Sequence, residues 1–74
     1  MNAAVSPRGR MLYFSGGGRL VWSYDTAYGK VRGPRGVAKV TYGVQTSVAG
    51  LGVTPDGRRL VAVRTDDRIV ALKA

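Results

Sequence analysis

Apolar residues in this 74-residue chain come in short runs, and the runs lack a helical period. No window carries apolar positions at i, i+3, i+4 and i+7 over three turns, and Gly or Pro interrupts every long stretch. Short β-branched and aromatic runs separated by turn residues predict strands instead. Seven runs stand out, at 3–6, 11–15, 19–24, 37–42, 48–53, 59–63 and 68–73. In the third, Leu20, Trp22 and Tyr24 alternate with Val21 and Ser23, so the two faces of the strand differ, and Trp22 is expected in the core. In the fourth, Val37, Lys39 and Thr41 alternate with Ala38, Val40 and Tyr42; a lysine in the polar register suits an outer strand.

The segments between the runs carry turn chemistry. Pro7-Arg8-Gly9 closes the first run, and Gly16-Gly17-Gly18 supplies residues for a hairpin that needs positive φ. Asp25 through Gly29 reads as a turn in which the Asp25 carboxylate bonds backbone amides two residues on. Thr54-Pro55-Asp56-Gly57 has Pro at the second turn position and Gly at the fourth. Asp66 and Asp67 sit at the tip of the last connection. Lys30–Gly36, with its Arg32-Gly33-Pro34-Arg35-Gly36 core, reads as an exposed basic loop.

The chain repeats itself. Val5-Ser6-Pro7-Arg8-Gly9-Arg10-Met11-Leu12 aligns with Val53-Thr54-Pro55-Asp56-Gly57-Arg58-Arg59-Leu60 at an offset of 48, with five of the eight positions identical. After a one-residue insertion, Arg19-Leu20-Val21 aligns with Arg68-Ile69-Val70. The division is therefore 1–47 and 48–74: a first unit with strands near 3–6, 11–15, 19–24 and 37–42, and an incomplete second with strands near 48–53, 59–63 and 68–73. Such a period, with four short strands to the unit, is that of a propeller blade. One such sheet has two faces and cannot bury both alone, so neighbours must stack on it.

The same segments carry a family resemblance. Val5 through Phe14 and Val53 through Val63 resemble the S-P-D-G-(K/R)-x-L-(Y/A)-V segment of YVTN-type and related WD-like propeller repeats. Gly18 through Val31 is similar to the G-x-(L/V)-x-x-x-D-x-x-T-G-K-V strand and turn of those repeats, a pattern that pyrroloquinoline-quinone-type propellers share. The resemblance covers about three quarters of the chain. Arg8 stands where Asp is usual, Tyr28 where Thr is usual, and there is no Trp-Asp dipeptide. It implies an all-β chain of antiparallel propeller-type blades, one four-stranded and one incomplete and three-stranded. Three arrangements remain open: several copies in one ring, a portion of a longer propeller, or strands that close as a small barrel or sandwich.

Composition narrows the chemistry. The chain has no His, no Cys and no Glu, which removes imidazole and thiolate chemistry and zinc–sulfur sites, and with them the disulfide or metal that often holds a small fold together. No recognisable acid/base pair is left, so no catalytic residue, metal ligand or cofactor-binding residue is expected. No apolar run is long enough to span a membrane as a helix, and Met1–Arg10 lacks the apolar segment of a secretory signal. Twelve Lys+Arg against four Asp give a net charge of +8. A candidate basic surface is Lys30, Arg32, Arg35 and Lys39, with Tyr28 able to stack on a base. Pro7, Gly9, Asp25, Gly29, Pro55, Asp56 and Gly57 are read as structural turn residues.

These observations lead to a non-catalytic repeat module that assembles, with copies of itself or with the remaining blades of a propeller, into a binding scaffold. Its ligand could be a protein, a glycan or a small molecule. The alternative is a small basic β-domain that binds nucleic acid, the less favoured reading because the cations are scattered along the chain.

Overall fold

The structure, a computed structural model, describes residues 2–39 and 45–74. The described chain is all-β and has seven strands: β1 (Asn2–Val5), β2 (Met11–Ser15), β3 (Leu20–Asp25), β4 (Lys30–Gly36), β5 (Val48–Val53), β6 (Arg59–Arg64) and β7 (Ile69–Lys73). They form two antiparallel meanders, a four-stranded sheet in the order β1-β2-β3-β4 and a three-stranded sheet in the order β5-β6-β7. Within each sheet every connection is short, so each strand pairs with the next one in sequence.

The first turn of each sheet has the same hydrogen-bond geometry. Gly9 N–H donates to the Ser6 carbonyl at 2.8 Å, and at the equivalent place in the second sheet Gly57 N–H donates to the Thr54 carbonyl at 2.8 Å. Met11 N–H donates to Ser6 Oγ at 3.0 Å, as Arg59 N–H does to Thr54 Oγ1 at 3.1 Å. Gly9 and Gly57 have φ of 72° and 73°, in the left-handed region that glycine enters at no side-chain cost. The same offset persists into the third strand of each sheet. Leu12 pairs with Tyr24 and Leu60 with Leu72, so Val21 corresponds to Ile69 and Trp22 to Val70. The one-residue insertion inferred from the sequence is thus absent: the hairpins have equal length, and the match of Arg19-Leu20-Val21 to Arg68-Ile69-Val70 is one residue out of register.

The two sheets pack face to face. The second sheet turns Val48, Leu60 and Ala62 toward Tyr13 and Val21 of the first, and all five are buried, Leu60 and Ala62 at 0% exposure. Met11, Leu51, Val53 and Leu72 pack around this cluster. At the inner edge β1 lies beside β5, where Asn2 Nδ2 donates to the Val48 carbonyl at 3.2 Å and Val48 N–H donates to the Gly18 carbonyl at 2.9 Å. Because strand side chains alternate, burying Tyr13 and Val21 leaves Leu12, Phe14 and Trp22 on the opposite face. Trp22 is therefore half-buried on an open face, stacked on Phe14 with ring centroids 6.1 Å apart, and is not a member of the core.

The fourth strand is not the one the alternation predicts. It is Lys30–Gly36, the segment read as a basic loop. Val37 and Ala38 bend away from it, Lys39 lies outside any strand, and Val40–Tyr42 fall outside the described residues. A β-bulge reconciles the breakers with pairing: Val21 faces Arg35 and Ser23 faces Arg32, so Gly33 and Pro34 together oppose Trp22. Gly33 has φ +113°, and a Cβ there would come within 3.2 Å of the Val21 carbonyl oxygen. Pro34 removes a donor where the ladder is already interrupted. Val37 is buried, donating its N–H to the Arg19 carbonyl at 2.9 Å and accepting from Arg64 at 3.3 Å through its own carbonyl.

This packing separates apolar residues of the second sheet by their effect on stability. Leu60→Ala is expected to cost about 2–5 kcal/mol, enough to unfold much of a domain this small. Ile69→Ala, in the adjacent strand but 71% exposed, is expected to change stability by about 0.5 kcal/mol or less. Denaturant unfolding followed by far-UV circular dichroism measures both.

Candidate functional site

The cations of β4 gather on one face. Lys30 and Arg32 share a side of the strand by simple alternation, and the two-residue bulge returns Arg35 to that side. This is the face of the first sheet that β5–β7 cover elsewhere. The second sheet stops at β7, so β4 extends past it and every residue of β4 is exposed. A groove of about 600 Å³ results, floored by Met11, Tyr13 and Val21 and walled by Arg32, Arg35 and Lys73. Arg35 crosses it, its guanidinium donating to the Lys73 carbonyl.

The other candidate residues lie apart from this groove. Lys39 is exposed beyond the end of β4. Tyr28 sits in the β3–β4 turn, 70% exposed, with the Arg10 guanidinium 5.3 Å from its ring centroid, a cation–π contact. The structure thus brings Lys30, Arg32 and Arg35 together and leaves Lys39 and Tyr28 out. Lys73 and the groove floor were not among the sequence candidates. Their only sequence signal is a lysine near the end of the last strand, which says nothing about the strand it faces.

The turn residues shape both ends of the sheets. Asp25 is buried and accepts from the amides of Ala27 at 3.0 Å and Tyr28 at 3.4 Å, with Arg10 3.5 Å from its other oxygen. Gly29, at φ 65°, closes this turn by donating to the Asp25 carbonyl at 2.7 Å. Pro7 and Gly57 approach each other, a Cβ on Gly57 falling 3.5 Å from Pro7 Cδ, so the two equivalent turns lie side by side. In the second, Asp56 accepts from Thr54 Oγ1 at 2.6 Å and from the Arg58 amide at 3.0 Å. Pro55 leads into that turn, and with Asp56 and Pro7 it borders a shallow cleft between the sheets. Arg8 stands where Asp56 stands in the second copy and cannot accept these bonds.

Three of these carboxyls are held below their usual value. For Asp25, burial pushes the carboxyl up, but the Ala27 amide, the Arg10 guanidinium and the Tyr28 amide together outweigh it. For Asp56 the Thr54 hydroxyl dominates, aided by the Arg58 amide. For Asp66 the desolvation is overcome by its bond and charge pairing with Arg64. Among the described residues no three carboxylates come together as a metal site would need.

Comparison with known proteins finds no matching family model and no matching curated protein. Among the described residues, no helix is long and apolar enough to cross a membrane.

The pH dependence follows from the lowered carboxyls. A group whose folded pKa lies below its unfolded value favours folding above the unfolded value, and that contribution is lost as pH falls through the folded one. Stability is therefore expected to be level down to about pH 4, the unfolded Asp value, and to fall below it. Asp25→Asn keeps a side-chain acceptor for Ala27 but no longer titrates. Its stability-against-pH curve is expected to be shallower on the acid side, as measured by denaturant midpoints between about pH 2 and 7.

Proposed function

We propose that this chain is a non-catalytic repeat module of the β-propeller type, which assembles with copies of itself or with further blades into a binding scaffold. The observation that carries the reading is the way its two copies meet. One face of the first sheet (Tyr13, Val21) receives the opposite face of the second (Leu60, Ala62). Since the sheets are repeats, each has a counterpart of the face the other buries, and those counterparts lie open. On the first sheet it is Leu12, Phe14, Trp22 and Tyr24; on the second it is Val61, Val63, Ile69 and Ala71. Val63 is 41% exposed and Ile69 71% exposed, although Ile69 corresponds to the buried Val21.

An interface between unlike faces does not use itself up, because each added unit brings a fresh copy of both. It closes when the rotation per unit divides a full turn, and propellers close at roughly four to eight sheets. With two sheets per chain, that is about two to four copies. The nucleic-acid reading has the β4 cations in its favour. Against it, Tyr13 is only 3% exposed at the groove floor and Tyr24 lies on the other side of the sheet, so among the described residues no ring is available there for base stacking.

Size exclusion with light scattering tests the assembly. A mass of about two to four chains is expected for the protein. Ile69→Glu is expected to lower that mass while leaving the far-UV spectrum unchanged, since Ile69 is exposed within the chain. A monomer of unchanged mass up to about 100 μM, in both forms, would rule out self-assembly through these faces.

A further inference from the structure

Cations that lie far apart in the sequence meet at one end of the molecule, where the β1–β2, β3–β4 and β5–β6 turns all fall. Thr26 ties the first two turns together, its N–H donating to the Arg10 carbonyl at 2.9 Å and its hydroxyl to the Gly9 carbonyl at 3.0 Å. The approach of Pro7 to Gly57 sets the third turn beside the first. Arg8, Arg10, Lys30, Arg58 and Arg59 are thereby brought to the same end, and all five are exposed. Sheets stack through their faces and pair along their edges, so neither further copies nor further strands would cover the tips of these turns.

The carboxylates at this end are already engaged. Asp25 is buried and bonded to the Ala27 and Tyr28 amides, and Asp56 is bonded to the Thr54 hydroxyl and the Arg58 amide. Among the described residues the ion pairs are Arg10–Asp25 and Arg64–Asp66, so Arg8, Lys30, Arg58 and Arg59 have no carboxylate partner there. Arg8 projects a cation from the first turn at the place where Asp56 braces the second. Arg10 is held 3.5 Å from Asp25 and lies 5.3 Å from the centroid of the Tyr28 ring. That ring, in a residue 70% exposed, is steadied by a cation and still open to a planar ligand.

We propose that this turn-bearing end binds single-stranded nucleic acid, with a base stacked on Tyr28 and phosphates on the surrounding Arg8, Lys30, Arg58 and Arg59. A single strand offers both a chain of phosphates and bases whose flat faces are free to stack. A duplex keeps those faces inside its stack, and an acidic peptide or an anionic lipid surface would answer the cations but leave the ring unused. The β4 groove has cations without an open ring, since Tyr13 is covered there, and only the turn end combines the two among the described residues. The cations are scattered in sequence because they belong to three separate turns, and the fold gathers them. The site lies within one chain, so it stands whether or not the open faces drive self-assembly.

The test is fluorescence anisotropy with a labelled oligothymidylate of about ten nucleotides at about 150 mM salt. Saturable binding is expected, weakened at least about fivefold by Tyr28→Leu and retained by Tyr28→Trp, which keeps a stacking ring. An abasic strand of the same length carries the same phosphates and is expected to bind at least about fivefold more weakly. Arg8→Gln/Arg58→Gln is expected to weaken binding at least about tenfold, whereas Arg32→Gln/Arg35→Gln, which removes the same charge from β4, weakens it less than about threefold. No binding at this salt, an abasic strand or a Tyr28→Leu variant that binds as tightly, or equal losses from the two arginine pairs would overturn the proposal. So would a duplex of the same length, a peptide of alternating Glu and Val, or phosphatidylserine vesicles that displace the single strand by binding the same end more tightly.

Discussion

Burial of Leu60 and Ala62 against Tyr13 and Val21 is the contact on which the rest of the molecule depends. Neither meander is stable as a bare sheet in water, since a few strands with two wet faces bury too little to offset the entropy of ordering them. With no cysteine there is no disulfide to assist, and among the described residues apolar area between the sheets supplies the order. Ala62 is small where its counterpart Phe14 is large, and Leu60 and Ala62 share one buried cluster with Tyr13 and Val21. The hydrogen bonds between Asn2, Val48 and Gly18 then set β1 beside β5 and fix how the faces overlap.

From that one contact follows the different fate of equivalent residues. Val21 and Ile69 occupy the same place in their sheets, yet one is buried and the other bare. Asp25 locks a turn through its amide bonds and Arg10, whereas Lys73, its counterpart in the second sheet, lies at the mouth of a groove. The proposed self-assembly uses what this arrangement leaves over, the two uncovered faces. The cations Lys30, Arg32 and Arg35 lie apart from those faces, where the shorter sheet leaves β4 uncovered.

β4 also explains why the candidate site was only half legible. Gly33 and Pro34 are breakers in an isolated segment, and the alternation in Val37–Tyr42 is the better strand signal taken locally. The bulge at Gly33 becomes favourable only once β3 is present to pair with Arg32 on one side and Arg35 on the other. That pairing puts three cations on one face, a grouping invisible while the segment is read as a loop. Lys73 joined them only because β7 ends opposite Arg35.

The sequence by itself determined the local structure. Six of the seven strand-forming runs, the Pro-Gly turns at Gly9 and Gly57, the Asp25 turn and the internal repeat all depend on residues within a few positions of one another or on direct self-similarity, so propensity and spacing suffice to read them; β4 is the exception. Only the tertiary structure decided which side of each strand is inside. Leu20, Trp22 and Tyr24 are the more apolar set in β3, and Val21 is nevertheless the buried one, because the second sheet arrives on its side. Alternation reveals that a strand has two faces, but which face is covered depends on a partner sheet far along the chain.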